Sequence, residues 1–292
     1  LTVADIAATS PKLWNSWKDT LLWELHKYAS QALQRGPAET FDRQANVEET
    51  RSAALTALAA SGVDREAVDS LWSRLPVSAF LRFDAEQLAW TTRRVLAGDP
   101  RPLVAMRQLP DKGITEIFVH ADDFIGLFAG VARELDRMQL GILAARVVTT
   151  TDGRSWDLFQ VMDGQSRPLN EGDATRLQAA LVGQLSDKVV RPLPRRPVPR
   201  RLQPFMGRSE IKVGTVEDRT RLEIAATDRP GLLSAIAGAL LTQDLQLLDA
   251  RIATFGQRVE DVFLITDAHG AALSPEACAE LEAELRQRLD IE

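Results

Sequence analysis

Apolar residues recur at helical spacing through the first 100 residues, as in Trp14, Trp17, Leu21, Leu22 and Leu25, and again in Val68, Leu71, Trp72 and Leu75. The pattern predicts an all-α segment over 1–100. Ser10 before Pro11 reads as an N-cap with proline at the first helical position, and Gly36-Pro37 as a stop, which places a helix over 11–35. Further helices are predicted over 41–60, 64–73 and 84–97, the last running from the capping Asp84 to the Gly98-Asp99-Pro100 break. From residue 102 the period shortens. Leu103 to Leu109 and Ile114 to His120 read as paired strands around the turn Pro110-Asp111-Lys112-Gly113. A helix on Leu127, Val131, Leu135 and Met138 follows, then strands over 141–150 and 156–162 separated by Asp152-Gly153, then a helix over 172–188.

Pro192, Pro194, Pro197, Pro199 and Pro204, with six arginines between Arg191 and Arg208, exclude regular helix or a central strand, and this stretch reads as a linker. The β-α-β-β-α order then returns, with strands over 219–226, 245–254 and 258–266 and helices over 231–243 and 274–289. The repetition extends to residues. Asp123, Gly126, Leu127, Ala145 and Arg146 recur 105 positions later as Asp228, Gly231, Leu232, Ala250 and Arg251. One residue is lost in the hairpin turn, after which Asp157, Phe159 and Asp163 recur 104 positions later as Asp261, Phe263 and Asp267. The expected fold is therefore α+β, an all-α segment followed by two copies of one supersecondary unit. The expected domains are 1–100, 102–188 and 211–292, with 189–210 as the linker.

Composition narrows the function classes. Hydrophobic residues at 45% and charged residues at 26% of 292 describe an ordinary globular chain, with no apolar run near the ~18 residues that span a bilayer. No membrane role is expected. The net charge of −6 argues against a nucleic-acid binder, and the basic linker lacks aromatic interleaving beyond Phe205. A single Cys278 excludes an internal disulfide and fits a reducing cytoplasm. A start at Leu1, in amphipathic sequence, reads as a fragment. His26, His120 and His269 lie far apart with no neighbouring aspartate, and the pairs Glu48-Glu49 and Asp122-Asp123 have no nucleophile or metal site beside them, so no catalytic or metal-binding residue is assigned.

The candidate chemistry lies in the two turns. Leu222 to Ala226 feeds Thr227-Asp228-Arg229-Pro230-Gly231-Leu232 at a helix start. There the aspartate can cap free amides, the proline presets the backbone, and the glycine permits close approach. Such a turn is structurally complete without a ligand, yet exposed amides at a helix N-terminus also suit a carboxylate. The first copy has Asp123-Phe124-Ile125-Gly126-Leu127, with Phe-Ile replacing Arg-Pro, which leaves its competence for ligand in doubt.

The Asp-Arg-Pro-Gly-Leu turn, with Leu248-Asp249-Ala250-Arg251-Ile252 and Val259-Glu260-Asp261-Val262-Phe263 behind it, resembles the ACT domain, a ferredoxin-like amino-acid-binding module. Arg258 to Phe263 resembles in particular the last ACT domain of the bifunctional [protein-PII] uridylyltransferase and uridylyl-removing enzymes. Leu1 to Ile6 with Pro11 to Lys18 resembles the closing helices of their HD domain. Leu75 to Arg82 and Glu86 to Trp90 resemble their helical connector. The resemblance implies a glutamine-sensing regulatory region, with glutamine at Asp228, Arg229, Pro230, Gly231, Leu232, Asp249, Ala250, Arg251 and Asp261, and in the first copy at Asp123, Phe124, Ile125, Gly126, Leu127 and Ala145. It implies the PII signalling protein as partner and a homodimer formed through ACT domains. No cofactor is expected in this chain, with magnesium confined to catalytic domains it lacks. The alternative is a dimerisation or PII-docking module that binds no ligand.

Overall fold

The computed structural model describes residues 43–98, 100–188, 190, 208–255 and 258–289. The helix expected over 11–35, the first part of the resemblance, His26 and nearly all of the linker lie outside them. Helices α1 (Arg43–Ala60), α2 (Arg65–Trp72), α3 (Val77–Arg82) and α4 (Ala85–Leu96) come first. Strands β1 (Leu103–Leu109) and β2 (Ile114–His120), helix α5 (Leu127–Arg137), strands β3 (Gly141–Val148) and β4 (Asp157–Met162) and helix α6 (Glu171–Asp187) form one unit. Strands β5 (Glu210–Val216) and β6 (Arg219–Thr227), helix α7 (Leu232–Thr242), strands β7 (Gln246–Phe255) and β8 (Arg258–Thr266) and helix α8 (Pro275–Leu289) form its repeat.

Local chemistry sets these boundaries. Asp84 accepts from the Gln87 amide at 2.7 Å while Gln87 Oε1 accepts from the Asp84 amide at 3.2 Å, a capping box that stabilises the start of α4 by about 1 kcal/mol. Two elements depart from the sequence reading. Helix α3 has no strong periodic signal in its six residues, and no strand is predicted over β5, whose first residue falls in the linker 189–210. Strand β5 follows the proline-rich stretch, and Ile211 is its one fully buried position, so a half-exposed edge strand gives little alternation to detect.

All eight strands join one antiparallel sheet in the order β1-β2-β4-β3-β7-β8-β6-β5. Within a unit, the β-α-β-β-α core is flanked by a strand that precedes it in sequence and takes the outer edge, the place a ferredoxin-like unit gives to its last strand. The two units meet at β3 and β7. Their register pairs Ala144 with Ala253, Arg146 with Arg251 and Val148 with Asp249, so it is symmetric about the Arg146–Arg251 pair. That centre is a pseudo-twofold axis inside one chain, and the matching bulges at Ile142/Ala144 and Leu247/Asp249 obey it.

The first unit is covered on both faces. Helices α5 and α6 pack on one side, over Ile117, Val119, Phe159 and Val161. On the other, Trp72, Phe80, Leu88 and Trp90 pack on Phe118, Val148, Trp156 and Leu158. Strand β2 is accordingly buried at every position, while β6 has outward-facing Arg219 and Arg221 exposed and Thr220, Leu222 and Ile224 buried. Burying a side chain such as Phe118 contributes about 2 to 3 kcal/mol, so the helical segment is held to the first unit mainly by its apolar contacts.

Candidate functional site

Each Asp-x-x-Gly-Leu turn links a central strand to the helix after it, and each glycine adopts the left-handed conformation, φ 102° at Gly126 and φ 80° at Gly231. Other residues resist that backbone, which explains the glycine in both copies. Leu127 and Leu232 turn inward and are buried, while Phe124 packs partly against the core. Ile125 is half-buried and Pro230 exposed. Neither helix receives a side-chain cap. The N-cap role expected of Asp228 is not filled in this way, because glycine itself occupies the cap position.

The seam brings each turn against the opposite unit. A Cβ placed on Gly126 would lie 3.0 Å from Leu241 of α7, and one on Gly231 would lie 3.5 Å from the carboxylate of Asp136 of α5. Asp136 and Leu241 are themselves 105 positions apart. The sites are equivalent in position and opposite in chemistry. The first faces a leucine and encloses only about 20 Å³ between Asp123, Thr149, Asp157, Ala237, Leu241 and Leu245, room for about one water. The second faces an acid.

Beside each turn lies a buried strand aspartate. Asp157 Oδ1 accepts from the Val148 amide at 3.2 Å, and Asp261 Oδ1 from the Ala253 amide at 3.3 Å. Burial, reinforced by Asp123, holds the Asp157 carboxyl well above the usual range, and its Oδ2 is buried without a hydrogen-bond partner. Burial with Asp228 nearby pushes Asp261 up to about 7. Asp123 is raised by burial although Thr149 Oγ1 donates to it at 2.8 Å. Asp228 reaches the surface, yet the protein around its carboxyl raises it as well.

The expected site residues therefore divide. Asp228 to Leu232 and Asp261 come together at one end of the seam, and Asp123 to Leu127 at the other. Arg229 turns to donate to the Arg288 carbonyl at 3.0 Å. Ala145 and Ala250 are buried in the seam strands under the helices. Arg251 stands exposed at the pseudo-twofold. Asp249 is not at a turn. It pairs with Arg82 of α3 and is raised to about 6 by burial against that pairing. Arg146 donates to the Arg82 carbonyl, so α3 is tied to both seam strands.

Sequence reasoning missed Asp136, Thr149 and Arg82 altogether. It noted Asp157 as a repeat position without assigning it a role. The offset between copies was the available signal, because it sets Leu241 against Asp136. His120 is buried, with Nδ1 against the Ser155 carbonyl at 2.7 Å, and His269 is exposed. Among the described residues, no cluster of His, Cys, Asp and Glu is placed to hold a metal ion, and no helix is long and apolar enough to cross a membrane.

Residues 42–94 match the family model described as the uridylyltransferase GlnD fifth domain. Curated relatives align over almost the whole chain. The bifunctional uridylyltransferase/uridylyl-removing enzyme of Xanthomonas euvesicatoria pv. vesicatoria is 42% identical over 99% of this chain and 34% of its own length. That of Ectopseudomonas mendocina is 38% identical over 99% of this chain and 33% of its own. That of Pseudomonas fluorescens is 38% identical over 100% and 34%. The chain thus spans about a third of the length of these relatives. Among solved structures, aspartate kinase from Synechocystis aligns over 60% of this chain and 27% of its own at TM-score 0.36 and 17% identity, which leaves the fold to rest on the strand order. By sequence, the chain is homologous to the C-terminal third of the bifunctional uridylyltransferase/uridylyl-removing enzymes.

Proposed function

We propose that this chain is the glutamine-sensing region of a PII-modifying enzyme, and that amino acid bound at the seam between its ββαββα units shifts catalytic domains elsewhere in that enzyme from adding UMP to PII towards removing it. The observation that carries the reading is the second turn, where an uncapped helix start and the Asp136 carboxylate converge from opposite units. The first suits a ligand carboxylate and the second its ammonium group, so the pair matches an amino-acid zwitterion. A sensor moves an equilibrium only through differential affinity for two arrangements. A seam built from both units supplies that difference, because a ligand touching both favours one relative placement. The Arg82–Asp249 pair gives the helical segment a direct hold on the same seam.

The magnesium-dependent transfer and the hydrolysis belong, in this reading, to parts of the enzyme outside the 292 residues. A dimerisation role has less support, since the β3–β7 contact within one chain already uses the edges through which such units pair. Calorimetric titration of the chain with glutamine tests the reading. Heat of binding, lost or weakened in Asp228→Ala, is expected. No heat and no change in melting at millimolar glutamine would sink it.

A further inference from the structure

Away from the seam, two buried polar atoms without a hydrogen-bond partner among the described residues line one small cavity. One is Nε1 of Trp156, a residue with no exposed surface. The other is Nε2 of His120, a residue 3% exposed whose ring centroid lies 5.4 Å from that of Trp156. His120 Nδ1 sits 2.7 Å from the Ser155 carbonyl, which can only accept, so Nδ1 carries the ring proton and Nε2 is an acceptor while the ring is neutral. Burial, with Arg101 and Arg154 adding to it, lowers the His120 pKa and favours that neutral form. The indole N–H can only donate. A buried donor and a buried acceptor side by side call for a group that answers both.

The cavity measures about 30 Å³, room for about two waters. Its lining is basic. Arg74 just after α2, Arg101 before β1 and Arg154 between β3 and β4 share it with one carboxylate, Asp152, which Arg74 approaches to 3.4 Å and Arg154 to 3.7 Å. Asp122 approaches Arg154 from outside the lining, at 4.0 Å. Arg74 and Arg101 are exposed, so the guanidinium groups form the entrance and the two ring nitrogens the floor.

We propose that this cavity is a binding site for inorganic phosphate, held by Arg74, Arg101 and Arg154 with its P–OH oxygen on the floor between Trp156 and His120. That oxygen accepts from the indole N–H and donates to His120 Nε2, which meets both buried atoms, while the remaining oxygens take the guanidinium groups at the entrance. Hydrogen phosphate still has this proton at pH 8. Sulfate, with the same shape and charge, does not, and a phosphate monoester has lost it above its second pKa of ≈ 6. The lining joins Arg74 of the helical segment to the first unit, so an occupant fastens one to the other at a place separate from both turns. The inference is independent of amino-acid sensing at the seam.

The test uses the full 292-residue chain labelled with nitrogen-15, at pH 8 and constant ionic strength. Titration with sodium phosphate should shift the Trp156 indole N–H resonance saturably, that resonance being identified by its loss in Trp156→Phe, and should raise the melting temperature. Sulfate and UMP at the same concentrations should do so more weakly, UMP standing for a monoester source of the same group. Trp156→Phe, which removes the floor donor, should weaken phosphate binding by roughly tenfold, read from the melting shift. Arg101→Gln, at an exposed position, should weaken it by roughly threefold. If Trp156→Phe fails to fold, judged by circular dichroism, Arg101→Gln and the sulfate comparison decide by melting alone. An indole resonance and a melting temperature that phosphate leaves in place, as an ordered water alone would, overturn the inference. So do an equal or larger response to sulfate or UMP, and phosphate binding unchanged by Arg101→Gln.

Discussion

Asp261→Asn should stabilise the protein, and by more at pH 8 than at pH 5. Asp261 is 3% exposed on β8, and burial with Asp228 beside it raises its pKa from 3.8 to about 7. Between those values the folded chain keeps a proton that the unfolded chain gives up, so the native state binds more protons and stability falls as pH rises. A gap of about three pH units at ~1.4 kcal/mol each makes about 4 kcal/mol, present at low pH and lost once the pH has passed 7. At pH 5 the unfolded group is already ionised and the loss is about 2 kcal/mol. Asparagine keeps the oxygen that accepts from the Ala253 amide and never ionises, so it behaves as a permanently protonated Asp261. Urea unfolding followed by circular dichroism at both pH values measures the gain. Every tryptophan lies at or before Trp156, so tryptophan fluorescence reports the first part of the chain and serves as an internal control. An equal gain at the two pH values, a larger gain at pH 5, or a loss at pH 8 would refute the assignment of a buried, proton-holding carboxyl beside the second turn.

Arg107→Leu should destabilise the contact between α4 and the first unit by about 3 to 5 kcal/mol, because it leaves the fully buried Glu116 carboxylate with only neutral partners, Gln87 at 2.6 Å and Gln160 at 2.9 Å. Adding Glu116→Gln should recover much of the loss in the same urea assay. Gly126→Ala and Gly231→Ala both incur left-handed strain of about 1 to 2 kcal/mol. The first should cost more, since its Cβ meets Leu241 at 3.0 Å and Val190 at 3.1 Å while the second meets Asp136 at 3.5 Å, and melting temperatures in that order test the asymmetry of the seam.

Most of the fold was legible because its signals are local. Helices α5 to α8 and strands β2 to β4 and β6 to β8 each have their own period and turn chemistry, and the duplicate copy shows every signal twice. Strand β5 and helix α3 were not, since a half-exposed edge strand and a single helical turn and a half produce too few periodic positions. The division of the site was hidden for a different reason. Whether Asp249 faces a turn or a helix depends on which face of the sheet the α1–α4 segment covers, and that is decided by contacts between residues as far apart as Arg82 and Asp249. A hint was present in composition: Ile114, Ile117, Phe118 and Val119 place apolar residues on both faces of β2, whereas Arg219 to Ile224 alternates. The first pattern fits a strand buried on both faces, the second a strand buried on one.

That difference bears on why the two turns diverged. The first unit has α5 and α6 on one face and the helical segment on the other, so its place in the molecule is to hold that segment against the seam. A turn in such a unit gains from being closed, as Asp123 is by Thr149, with a leucine sealing the glycine. In the second unit, the strands present charged residues such as Arg221 and Glu223 on the face that the helical segment does not cover, and its turn faces an acid. Under the proposed sensing function, one half fixed to the helical segment and one half free to respond to ligand would let a change at Asp228 reach Arg82 through Asp249. Two open sites related by the same axis would favour the same relative placement from both ends and would leave the axis itself as the symmetric point, with Arg146 and Arg251 opposite each other and nothing to distinguish them. Arg146 is instead bonded to the α3 backbone while Arg251 stays exposed, so the symmetry is already broken on the side where the helical segment is attached.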